Sequence, residues 1–174
     1  MIKICISGFT STGKTTLGEA VSLRLGIPHI NNSYKDIVGN GEALIKLQQN
    51  VDKKFAQKFD SNVIKQTKGR DCVVTTWLSP WLVKDATVRV WLNSDMDERI
   101  TRTAKRDKVS KAAARSYLEE KDRTNIRNFK RDYGIDITDH SIFDIIVNSS
   151  RMSVDEITAI ISIMALSKDK SKAR

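Results

Sequence analysis

The sequence predicts an α/β protein: a parallel sheet with helices on both faces. Short β-branched runs alternate with amphipathic stretches in the order β-α-β-α-α-β-β-α-α-β-α, and such alternation builds parallel sheets. The run Gly8-Phe9-Thr10-Ser11-Thr12-Gly13-Lys14-Thr15-Thr16 fits G-x-x-x-x-G-K-[ST], and it stands between the first strand and the first helix. With 174 residues, 40% of them hydrophobic, the chain is expected to be one domain around one core.

Each element has its own signal. Ile2–Ile6 reads as a buried strand. The helix that follows carries Leu17, Ala20 and Val21 on one face, and Gly26 and Pro28 stop it. Residues 27–30 form a short second strand candidate. The stretch 31–41 is polar and turn-rich, 42–49 looks helical, and Asn50 is placed to cap a longer helix closed by Gly69. Val51, Phe55, Phe59 and Val63 recur every four residues there, a core-like stripe. Strands are expected at 72–77, 87–92 and 142–147. Ser94 with Asp97 resembles a capping box for a helix over about 95–106. Ser110 is a candidate cap for a helix to about 132, with Gly134 beyond it. Ser153 with Glu156 is a capping box for a last helix through about 166, with Ile157, Ile160, Ile161 and Met164 inside.

The Gly8–Thr16 loop has the chemistry of a phosphate cradle. Its glycines allow successive N–H groups to turn inward, and the helix start adds partial positive charge. Lys14 supplies a point charge for terminal phosphates, and the Thr15 hydroxyl can ligate Mg²⁺. The residues expected to hold a nucleoside triphosphate are Gly8, Phe9, Thr10, Ser11, Thr12, Gly13, Lys14, Thr15 and Thr16, with Thr15 as the metal ligand.

The formal net charge of +9 fits either an enzyme of polyanionic phosphates or a nucleic-acid partner. Basic residues crowd the segment 99–131. Arg99, Arg102 and Arg106 lie three and four apart on one helical face, and so do Arg123 and Arg127. Such a helical hairpin can close on phosphates, or it can be a solvated, salt-bridged surface. No apolar run reaches a membrane span. Cys5 and Cys72 fall in predicted strands and are expected as buried thiols, which suits a cytoplasmic setting. His29 and His140 are isolated and are expected to be structural.

The phosphate loop, the stretch 97–107, the stretch 81–92 and Phe129–Asp144, with its Tyr133-Gly134-Ile135-Asp136 and Asp139-His140-Ser141-Ile142-Phe143-Asp144, resemble the archaeal-type cytidylate kinases over nearly the whole chain. The resemblance implies a three-layer P-loop nucleoside-triphosphate fold with a five-stranded parallel sheet in the order 2-3-1-4-5. It also implies a helical flap at about 31–68 and a lid at about 99–132, while the Lys- and Arg-rich composition of the end makes about 167–174 a flexible basic tail. By the same likeness the donor is ATP with Mg²⁺ and the acceptor CMP or dCMP. Arg102 lies against the adenine, Arg106 touches the transferred phosphoryl, and Arg123 and Arg127 form a second lid cluster, with Lys121 where the family usually has arginine. Lys14, Arg106, Arg123 and Arg127 are thus the expected catalytic residues.

The family's third strand usually ends Glu-Gly-Arg; here it ends Thr75-Thr76-Trp77. Its flap usually carries an arginine after Asp-Ile-Phe; Asp36-Ile37-Val38-Gly39 lacks one, leaving Lys35 or Lys46 as point charges. Two other readings therefore stand beside the cytidylate kinase: a kinase of another small acceptor, with Trp77 and Trp81 shaping its pocket, and an ATP-dependent RNA-binding or assembly factor.

Overall fold

The computed structural model describes residues 1–31 and 53–172. Among the described residues the strands are β1 (Lys3–Ser7), β2 (His29–Ile30), β3 (Cys72–Val74), β4 (Val88–Asn93) and β5 (Ile145–Asn148). All pair in parallel, in the order β2-β3-β1-β4-β5. That is the expected sheet. The helices among the described residues are α1 (Lys14–Leu25), α2 (Lys53–Thr67), α3 (Ser79–Leu82), α4 (Met96–Asp107), α5 (Lys111–Tyr133) and α6 (Val154–Lys172).

Alternation along the strands feeds two cores. Ile4, Ile6, Val88, Val90 and Leu92 point to the face covered by Leu17 and Val21 of α1 and by Ile157 and Ile161 of α6. Cys5, Cys72 and Val74 point to the opposite face, under Val63 of α2. Both cysteines are buried free thiols, as expected. A third cluster, Ile100 with Ala114 and Leu118, joins α4 to α5, so that hairpin has an apolar seam of its own.

Most local signals produce the elements they predict. Gly26 and Gly134 end α1 and α5 in left-handed conformation, with their N–H groups bonded back into the last turn. Ser110 accepts from the Ala113 N–H at 3.1 Å. Ser153 and Glu156 bond reciprocally at 2.8 and 3.2 Å.

The differences have local causes. β3 ends at Val74, because the Thr76 hydroxyl accepts from the Ser79 N–H and Pro80 opens the short helix α3. Asp95 stands at the N-cap of α4 without a side-chain capping bond, its carboxylate turned instead to Asn148 and Arg151, while Ser94 pairs with Ser150. β5 starts at Ile145, after two tight turns in which Asp136 and Asp139 accept from the N–H groups two residues on. α6 runs through Lys168 and Asp169, into the stretch expected as a flexible tail; Lys168 pairs with Asp144, and Asp169 with the N-terminal ammonium. Along α2, Val63 is core, Phe59 is partly buried and Phe55 stands at the surface. The predicted helix at 42–49, the cap Asn50, Val51, Lys35, Lys46 and the 36–39 segment lie outside the described residues.

Candidate active site

The loop between β1 and α1 lies at the carboxyl ends of the strands, where ligands bind in open α/β sheets. Glycine is required at its start by contact as much as by φ. A Cβ on Gly8 would sit 2.2 Å from the Leu92 carbonyl oxygen of β4. Gly18, one turn into α1, lets that helix close on the sheet. A Cβ there would meet Thr75 Cγ2 at 2.4 Å and His29 Nε2 at 2.5 Å. His29 Nε2 lies 2.7 Å from the Thr75 hydroxyl, which donates to Asn31, and burial holds the imidazole below its ordinary pKa.

Tertiary hydrogen bonds hold the loop residue by residue. Asp122 of α5 accepts from the Thr10 N–H, and Arg99 of α4 donates to the Thr10 carbonyl at 2.8 Å. Arg99 and Asp122 also pair with each other, both buried, so two helices grip the two sides of one residue. Ser11 has a φ of 63° and its hydroxyl lies 2.7 Å from that of Thr103. The Ser149 hydroxyl, just past β5, donates to the Thr12 carbonyl at 2.8 Å. The Phe9 side chain points the other way, edge-on to Trp77 and Trp91 at 6.0 and 5.3 Å, and anchors the loop in an aromatic cluster. Thr15 and Thr16 lie exposed in the first turn of α1.

Lys14 folds back over this loop and donates to the carbonyls of Gly8 and Phe9, both at 2.7 Å. Its ammonium also stands 5.1 Å over the Trp77 ring. Burial, then the charges of Lys121 and Arg99, push its pKa down to about 7 against the opposing pull of Asp122. Lys121 donates to the Tyr117 hydroxyl at 2.9 Å. Burial and the Arg106 charge bring its pKa down to about 8. Lys121 thus acts on Lys14 on one side and feels Arg106 on the other.

Of the two predicted arginine clusters, one meets the loop. Arg102 reaches Ser149 Oγ at 3.2 Å and its carbonyl at 3.1 Å, with Thr12 O at 3.4 Å. It lines a cavity of about 260 Å³ together with Thr12, Gly13, Thr16, Ser149 and Met152. Arg106 forks onto Asp107 at 2.7 and 2.8 Å and lies 3.4 Å from the Ser11 hydroxyl. Arg123 and Arg127 are exposed, and Arg123 pairs with Glu120 at 3.2 Å. They stand roughly 200–240° round the helix from Lys121, so the face that carries Lys121 and Asp122 turns them outward. Sequence reasoning had Lys121 at an arginine position but did not find the grip of Arg99 and Asp122, since nothing along the chain links residues 23 apart to Thr10. Ser149 carried no signal either.

Family comparison agrees with this geometry. The family model described as the cytidylate kinase-like family matches residues 31–151. The chain belongs to the cytidylate kinase-like family. The cytidylate kinase of Sulfurisphaera tokodaii is 29% identical over 91% of this chain and 92% of its own. That of Thermococcus kodakarensis is 30% identical over 91% and 84%. Among solved structures, shikimate kinase from Acinetobacter baumannii superposes with a TM-score of 0.61 at 14% identity, covering 96% of this chain and 94% of its own, a likeness of fold. The expectation of a kinase-type phosphotransferase in this family is met, and the family makes ATP the phosphoryl donor. Among the described residues no helix is long and apolar enough to cross a membrane.

Proposed function

We propose that this cytidylate kinase-like protein transfers the γ-phosphoryl of ATP to a pyrimidine nucleoside monophosphate, CMP or dCMP. The observation that carries the reading is the cationic group Lys14, Lys121 and Arg106 set on a glycine-shaped phosphate loop, in a chain of this family.

The fit to a triphosphate rests on the loop itself. Gly8 leaves no room for a side chain, Gly13 has a φ of 98°, and α1 begins at Lys14. The N–H groups of the loop and Lys14 hold the β- and γ-phosphates, and Arg102 with Ser149 and Met152 borders the cavity suited to the nucleoside end. Thr15, exposed in the first turn of α1, would hold Mg²⁺, which would neutralise phosphate charge there. Lys121 and Arg106 stabilise charge on the moving phosphoryl, and the chain's contribution is positioning and charge with little proton chemistry. In this reading the α4–α5 hairpin is the lid, residues 31–68 hold the flap, and the setting is cytoplasmic.

An ADP-release assay with CMP, dCMP, UMP, AMP and RNA as separate acceptors tests the proposal. The expected result is transfer to CMP and dCMP. ATP turnover only with RNA, or only with an unrelated small molecule, would overturn it.

A further inference from the structure

On the side of Lys14 away from the Arg102 cavity, aromatic side chains form a row. Trp77 lies under the Lys14 ammonium at 5.1 Å. Phe129 follows at 5.8 Å from Trp77, tilted by 49°, and Tyr133 at 6.4 Å from Phe129. The Tyr133 hydroxyl donates to Asp60, so the row joins the end of β3, the last turns of α5 and the middle of α2. Trp77, Phe129, Tyr133 and Asp60 are each only partly buried, which leaves surface on every member.

The row begins at the ammonium that handles the transferred phosphoryl, so an acceptor in line with that group lies along it. Residue 77 is a flat, largely apolar ring, half-buried beside Lys14. An indole cannot grip a phosphate by paired N–H bonds, but it stacks on a nucleobase. A carboxylate has about four acceptor positions, and Tyr133 uses one of those on Asp60.

We propose that the acceptor's flat ring is held on Trp77 and Phe129, and that Asp60, oriented by Tyr133, accepts a hydrogen bond from an amino group on that ring. Acceptor affinity then comes mainly from the ring rather than from a guanidinium clamp on its phosphate. The inference rests on the phosphotransferase reading and names how that same site selects its acceptor. A cytosine carries such an amino group and a uracil does not.

Calorimetric titration with CMP, cytidine and UMP, beside steady-state transfer from ATP, tests it on wild type and on Trp77→Phe, Trp77→Ala, Phe129→Leu and Asp60→Asn, each checked for its thermal midpoint. Cytidine is expected to bind within about tenfold of CMP, and UMP about tenfold or more weaker than CMP. Trp77→Phe keeps CMP binding, whereas Trp77→Ala weakens it about tenfold or more. Phe129→Leu, which keeps apolar bulk, also weakens it and substitutes for Trp77→Ala if that variant fails to fold. Asp60→Asn erases the preference for CMP over UMP and leaves the Michaelis constant for ATP unchanged. Transfer to CMP with every ring variant and Asp60→Asn behaving as wild type overturns the inference and leaves the phosphotransferase standing. Ring-dependent CMP binding without transfer does the reverse. Cytidine binding weaker than CMP by about a thousandfold or more would show a phosphate clamp and overturn it, as would absence of binding by all three ligands.

Discussion

Lys14 stands between two regions built on different physics. On one side, each of Thr10, Ser11 and Thr12 is held by a directed hydrogen bond from another element: Arg99 and Asp122 on Thr10, Thr103 on Ser11, Ser149 on Thr12. On the other side the neighbours are rings, Trp77 and Phe129, with one polar pair, Asp60 and Tyr133, at the end. Hydrogen bonds fail with small changes of angle, so the first side fixes the loop in one geometry. Stacked rings tolerate sliding and exchange, so residues of the second side can change without disturbing the first.

The largest expected effect comes from breaking the first side at its brace. Asp122→Ala leaves the Arg99 guanidinium buried without its partner and is expected to lower stability by about 3–5 kcal/mol, read from urea unfolding. If the loss is no larger than that of a surface substitution, the loop is not held by this pair.

Next is the junction itself. Lys14→Ala is expected to keep the fold and lower the transfer rate by about 10²–10³-fold, read from single turnovers beside a melting curve. Near-normal turnover would remove Lys14 from the chemistry.

The comparison between helix faces is sharper still. Arg106→Ala is expected to lower turnover by about 2 kcal/mol or more with a smaller loss of ATP affinity, since its contact matters most in the transition state. Arg123→Ala, at an exposed residue that pairs with Glu120, is expected to change turnover by less than about 0.5 kcal/mol. Equal losses in both variants would show that the hairpin turns Arg123 inward when nucleotide binds.

The smallest effect is one of pH. Lys14 and Lys121 lose their protons near pH 7 and 8 in the folded chain, whereas an ordinary lysine keeps its proton to about 10.5. Between pH 7 and 9 the unfolded chain therefore holds more protons, so their contribution to ligand-free stability rises with pH. Affinity for ATP moves the other way over the same window, because each deprotonation removes a cation from the site. Calorimetry and thermal melts at pH 6.5, 7.5 and 8.5 read both slopes, and Lys14→Met is expected to flatten them in part.

The sequence alone determined whatever depends on neighbours along the chain. The loop needs Gly8, Gly13, Lys14 and Thr15 at fixed spacing. Helix ends need Gly26, Ser110, Gly134, Ser153 and Glu156, and a cap bond spans three or four residues. The alternation of strand faces and the resemblance carried the fold class to a sheet of the expected order. Strand ends were harder to read, because Thr75–Trp77 have strand-like residues and Val74 ends the pairing only once Thr76 and Pro80 turn the chain.

Only the tertiary structure decided which charges meet the loop. Arg99 and Arg106 share a sequence pattern with Arg123 and Arg127, yet the α4–α5 seam at Ile100, Ala114 and Leu118 sets the rotation of both helices. That rotation turns Lys121 and Asp122 inward and Arg123 outward. It likewise brings Phe129 and Tyr133 to Trp77 and Asp60, residues 52 and 73 positions away, through packing that no local rule encodes.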